Sequence, residues 1–153
     1  MGVDFGYESE MEKKITELKL DEKIIVIKKP PREDVISAYN QCLFLVLPSK
    51  WELSPLTPIE GFACKKTVIS TTAHGIPYTI THDENCLLVS PSNPQLLADA
   101  IIELIKNPTK RIQLEESGFN MVINECNLDK MAKGMLSVYE KIIKSNLKKV
   151  TNY

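Results

Sequence analysis

Apolar positions along this chain follow two patterns: short unbroken runs, and longer stretches in which they recur every three or four residues. Met11, Ile15 and Leu18 predict a helix over 9–20, and "KIIVIK" at 23–28 is a β-branched run that reads as a short buried strand. The prolines of "KPPRED" interrupt the chain, and Pro31 and Arg32 open a second helix carrying Val35, Ile36 and Tyr39. "LFLVLP" at 43–48 reads as a second buried strand and "KTVIS" at 66–70 as a third. A fourth, "CLLVS" at 86–90, follows the turn-rich "THDEN".

Helix starts are marked by small polar residues followed by proline. Ser54 is placed to cap a helix with Pro55 in its first turn, where a missing N–H costs nothing, and the same device recurs at Asn93-Pro94 and Asn107-Pro108. From Pro94, the spacing of Leu97, Ala100, Ile101, Leu104 and Ile105 is that of an amphipathic helix. Two more helices are predicted over 108–125 and 128–147, the second with Met131, Met135, Val138 and Ile142 on one face. Strands that are apolar throughout and alternate with helices imply a parallel sheet covered on both faces. The expected fold is therefore α/β, a Rossmann-like doubly wound parallel sheet finishing in C-terminal helices, with 1–153 as a single domain. Ligands of such folds bind at the carboxyl ends of the strands, beside helix N-termini.

Composition narrows the functional classes. The 153 residues are 43% hydrophobic and 25% charged, as in an ordinary globular domain, and the net charge of −1 argues against nucleic acid as a partner. Residues 1–20 contain no apolar core of a signal peptide, and the longest apolar run, "CLFLVL" at 42–47, is too short to cross a bilayer. A cytoplasmic location is expected. Cys42, Cys64, Cys86 and Cys126 are widely spaced with no histidine at ligand spacing, so they read as reduced structural thiols and a zinc site is not expected.

The stretch "SKWELSPLTPIEGFACKKTVIS" at 49–70 carries the candidate chemistry. Glu52 falls in a strand-to-helix loop and Glu60 eight positions on, inside the helix that follows. Between them, the N–H groups near Leu56 and Thr57 form a positive pole suited to phosphate, to which Thr57 adds a hydroxyl. An ionised carboxylate accepts two hydrogen bonds side by side, matching the vicinal hydroxyls of a ribose or hexose. On spacing alone, the same two glutamates also suit plain helix capping.

The surrounding residues add a resemblance. "LPS" at 47–49, Glu52 and Glu60 as a Glu-x7-Glu pair, "TPIEGFAC", "KTVIS", "HGIPYTI", "DENCLLVSPSNPQLLADAI" and "MLSVYEKI" run in the order of the C-terminal, donor-binding lobe of GT-B glycosyltransferases. The chain resembles in particular the large retaining family 4, the glycosyl transferases group 1, collinearly from about residue 2 to 142. This resemblance implies a donor-binding site for a UDP- or GDP-sugar, with Glu60 on the ribose hydroxyls and Glu52, the catalytic candidate, beside the sugar or its phosphate. Backbone from Ser54 through Leu56 to Thr57 would meet the diphosphate, main chain at Lys28 and Lys29 would frame the base, and His74 would lie near the sugar. It implies transfer of a hexose with retention, no cofactor and no bound metal.

The departures from the family pattern matter as well. Lys65 and Thr67 stand where a glycine and a proline are usual, Cys86 where a glycine follows the asparagine, Tyr78 where a glutamate follows "IP", and His74 where a glycine is frequent. The resemblance also implies that an N-terminal acceptor lobe is missing before residue 2, with the first, central strands of the C-terminal lobe and the loop whose arginine and lysine neutralise the donor diphosphate. From this the chain is expected to be inactive in isolation and to need the missing lobe or a partner subunit. A non-catalytic nucleotide-binding or docking subunit of a split enzyme is the alternative, and a flavodoxin-like regulatory domain finds no matching acidic pocket. Trp51 reads as a ring stacking on a sugar or base or as a packing anchor, and His82 with Asp83 and Glu84 as a polar loop, a metal site or an acid–base group. Lysines 141, 144, 148 and 149 suit the negative end of the last helix or a peripheral contact with the inner membrane face, where a lipid-linked or polysaccharide acceptor would be met.

Overall fold

The computed structural model describes residues 6–150. The chain forms two compact units, one ending at Gln41 and the other beginning at Cys42. The first holds helices α1 (Glu8–Glu17) and α2 (Arg32–Gln41). Between them, Lys28 Nζ is ion-paired with Glu8 and, at 3.0 Å, with Glu12, and these carboxylates raise its pKa. The strand expected at 23–28 does not form: residues 24–27 lie in no ladder, and Ile25 is 87% exposed. A β-branched run favours a pleated surface, but a strand exists only where its backbone groups find a neighbour to pair with.

The second unit runs β1 (Leu45–Leu47), α3 (Thr57–Ala63), β2 (Val68–Thr71), a 3-10 turn (Ile76–Tyr78), β3 (Cys86–Val89), α4 (Pro94–Lys106), α5 (Pro108–Glu125) and α6 (Leu128–Val150). Its three strands form a parallel sheet in the order β1-β2-β3, with Leu45 opposite Val68 and Val68 opposite Cys86. Central β2 is buried at every position, as a run apolar on both faces requires, whereas β1 is an edge strand and only half-buried. Alternate side chains then feed two cores. Leu45, Leu47, Val68, Cys86 and Leu88 join Phe62 of α3 and Val122 of α5 on one face. Phe44, Ile69, Leu87 and Val89 join Ala100 and Leu104 of α4 and Leu114 of α5 on the other. Helices thus cover both faces of the sheet, the doubly wound arrangement expected from the pattern.

Local chemistry fixes the element ends. Asn93 Oδ1 accepts from Leu96 N and Asn107 Oδ1 from Lys110 N, two side-chain caps each worth about 1 kcal/mol, with proline in the first turn of both helices. Ser54 caps nothing. Helix α3 opens at Thr57, with Leu56 at its N-cap and Pro58 in its first turn. A helix begun at Pro55 would need an N–H from Pro58 to the carbonyl of Ser54, and proline has none and clashes there. The open edge of β3 is partly closed by its own leading loop: His82 Nδ1 accepts from Leu88 N at 2.9 Å, and Asp83 N donates to Cys86 O at 2.9 Å. No helix among the described residues is long and apolar enough to cross a membrane.

Candidate functional site

The loop after β1 and the loop after β2 meet at the carboxyl edge of the sheet. Two hydroxyls of β2 tie it to β1 at and just past the last paired residues: Ser70 Oγ donates to Leu47 O at 2.9 Å, and Thr71 Oγ1 donates to Ser49 O at 2.6 Å. Ser49 Oγ in turn donates to Glu52 Oε1 at 3.0 Å, holding the partly buried carboxylate close to its own strand. Gly75 N donates to Glu52 O at 2.9 Å, which completes the seam. A Cβ at Gly75 would lie 1.5 Å from Leu53 O, so only glycine permits this approach of the two backbones.

Trp51 and His74 flank that peptide contact. Their ring centroids are 6.2 Å apart with planes tilted by 58°, and Trp51 is 61% exposed. His74 has φ +41, a left-handed conformation that a non-glycine residue adopts at a cost and that recurs at functional sites. The turn that follows buries Ile76 in the core and leaves Tyr78 exposed.

Helix α3 starts at this same edge. Thr57 is its first residue, and Leu56 at the N-cap offers no side-chain acceptor to the amides of the opening turn. Glu60 lies in that first turn, partly buried, and its amide bonds Leu56 O at 2.9 Å. The structure thus brings Glu52, Leu56, Thr57, Glu60 and His74 to the carboxyl edge of the sheet, with Ser54 exposed on the connecting loop. Lys28 and Lys29 belong to the first unit, Lys29 with φ +47, and their assignment to a base rests on the resemblance alone. Sequence reasoning did not find Ser49, Thr71 or Gly75. The short polar residues after each strand were the available signal.

His82 lies elsewhere, before β3 and so at the opposite edge. Its Nε2 is 3.2 Å from Asp83 Oδ2, and Lys110 Nζ bridges Asp83 Oδ1 at 2.6 Å and Glu103 Oε1 at 2.7 Å. The ammonium of Lys110 holds the Asp83 carboxyl below its usual range, and the two carboxylates raise Lys110. Open grooves on either side of Lys110 are lined by this network and by Asn107, Thr109 and Asp99, so the polar-loop reading of His82 fits its place. Among the described residues no cluster of histidine, cysteine and carboxylate is arranged to hold a metal.

A parallel α/β lobe with two loops and a helix start gathered at its carboxyl edge is the architecture of a GT-B donor-side lobe. Residues 2–121 match the family described as Glycosyl transferases group 1, and the chain belongs to that family. It is 34% identical over 110 residues to an uncharacterised glycosyltransferase of Methanocaldococcus jannaschii, covering 72% of this chain and 31% of that protein. Among solved structures, sucrose-phosphate synthase from Thermosynechococcus elongatus superposes with a TM-score of 0.82 at 25% identity, over 94% of this chain and 36% of that one. The C-terminal domain of a group 1 glycosyl transferase, LpcC, from Francisella tularensis gives 0.71 at 30% identity, over 82% and 65%. HepE of Anabaena in complex with UDP-glucose shares the fold, with a TM-score of 0.81 at 20% identity over 90% of this chain and 38% of that one. The chain spans about a third of the length of the first of these relatives.

Proposed function

We propose that this chain is the donor-nucleotide lobe of a glycosyltransferase that moves a hexose from a UDP- or GDP-sugar, with retention of configuration and without a bound metal or cofactor. The observation that carries the reading is the seam from Ser49 to Gly75, which ties Glu52 to the loops after β1 and β2, at the edge where α/β folds take their ligands. HepE, a neighbour in fold, was solved with UDP-glucose, which supports a donor of this class.

In this reading Glu60 accepts the two ribose hydroxyls, and the amides of Leu56 and Thr57 with the Thr57 hydroxyl face the diphosphate. Ser54 lies on the same approach. The charge that develops on the leaving diphosphate is met by the N-terminal pole of α3. Glu52, oriented by Ser49, stands by the sugar and its anomeric carbon, and His74 closes that side. The acceptor, a carbohydrate or lipid-linked carbohydrate, is met by an acceptor lobe outside these residues or on a partner subunit. The site of action is the cytoplasm or its membrane face.

Calorimetric titration with UDP, GDP, UDP-glucose and GDP-mannose tests this. Binding of one nucleotide series that Glu60→Ala abolishes supports the reading. A folded chain that binds none of the four overturns it for this chain and favours a docking role for a partner's site, which co-purification of a chain bearing an acceptor lobe would show.

A further inference from the structure

We infer that Trp51 and His74 act as one unit that reads the sugar of the donor, separately from the groups that hold its nucleotide; this rests on the donor-site reading above. The two rings are adjacent, 6.2 Å between centroids, yet neither belongs to either apolar core. A tryptophan that served only as a packing anchor would be enclosed, and Trp51 is 61% exposed. Their neighbours in sequence, Glu52 and Gly75, are joined by the 2.9 Å peptide hydrogen bond, so the backbone ties together the two loops that carry the rings, one of which also carries the candidate catalytic Glu52. His74 holds a left-handed backbone, φ +41, at this contact.

The chemistry of the pair selects its ligand. An indole presents a flat apolar face, and a pyranose presents a face of C–H groups rimmed by hydroxyls; imidazole adds a nitrogen that donates to or accepts from a hydroxyl. A nucleoside diphosphate alone offers this pair nothing of that shape, because its base and ribose are assigned to the other end of the site. The pair therefore adds affinity to the nucleotide sugar and none to the free nucleotide.

Trp51 is the sole tryptophan of the chain, so emission excited selectively from tryptophan reports on this place alone. Titrations of the whole chain with UDP, UDP-glucose, GDP and GDP-mannose are to be followed by that emission and by calorimetry, for the wild type, His74→Gly, Trp51→Phe and Trp51→Ala. Nucleotide sugars should shift the emission and nucleotides should not. His74→Gly relieves the backbone strain and so does not threaten folding; it should cost about threefold to tenfold in affinity for the nucleotide sugar with the free nucleotide unchanged. Trp51→Ala should cost a similar factor, Trp51→Phe less, and the double variant no more than the larger single effect. Equal weakening of nucleotide and nucleotide sugar, or an unchanged ratio between them in both variants, overturns the inference while leaving the donor site standing. If UDP and GDP fail to bind as well, the donor-site reading falls and takes this one with it.

Discussion

The amide of Gly75 donates to the carbonyl of Glu52 at 2.9 Å, with no room for a side chain between the two loops they belong to. Gly75→Ala would drive a methyl to 1.5 Å from Leu53 O, a contact only backbone movement relieves. The variant should lose about 1–3 kcal/mol of stability, read as a lower urea midpoint, and should lose nucleotide-sugar binding through the displaced Glu52. Unchanged stability and binding would show that the two loops do not depend on this contact.

A second glycine sets a helix contact. Alanine is normally better than glycine within a helix by about 1 kcal/mol, but a Cβ at Gly118 of α5 would meet the fully buried Phe62 ring of α3 at 2.5 Å. Gly118→Ala should therefore destabilise by about 1–3 kcal/mol despite its better propensity. Combined with Phe62→Leu, which opens space at the same point, the cost of the alanine should shrink, and a double-mutant cycle of denaturation midpoints measures that coupling.

The Asp83–Lys110 pair gives a signed dependence on pH. Asp83 titrates below its ordinary 3.8 because Lys110 bonds its carboxylate, so the folded state prefers it ionised. Its stabilisation is fully present above the ordinary carboxylate range and is lost as pH falls through the lowered value. Half-exposed as it is, the pair contributes no more than about 1 kcal/mol. Asp83→Asn should lower the urea midpoint at pH 6, and the gap to wild type should narrow as pH falls through the lowered titration of Asp83.

Cysteine reactivity should divide by burial. Cys86 is fully buried, and desolvation pushes its thiol up to about 12, whereas Cys126 is exposed. A thiol reagent at pH 8 should modify Cys126 first and Cys86 only in denaturant, as peptide mapping will read. Cys42, half-buried and raised by desolvation, should react slowly.

Most of the sheet and its helices were legible in the sequence, because their signals are local. The strand runs read at 43–48, 66–70 and 86–90 and the Asn-Pro starts at 93 and 107 act within a few residues of themselves. Residues 24–27 misled because strand pairing is decided by a neighbour and not by the run itself. Ser54 misled because the prolines at 55 and 58 compete for one helix start, and only the second fits within the opening turn. Glu52, Thr57, Glu60 and His74 were picked out by pattern and resemblance, and they do converge on one edge. What holds them there was not legible: Thr71 to Ser49 and Gly75 to Glu52 each span more than twenty positions.

Ser70 and Thr71 reach across to the main chain of the neighbouring strand at Leu47 and Ser49, and this bears on how the gene can drift. An insertion between Ser49 and Glu52 would shift Glu52 out of register with Ser49 and Gly75 together, and the main chain of Leu53, pressed against Gly75, is held by the same contact. Length variation within a lineage of such chains should therefore stop short of Glu52, and should be scarce between Glu52 and Glu60 as well, because the proposed site needs both carboxylates at their present separation.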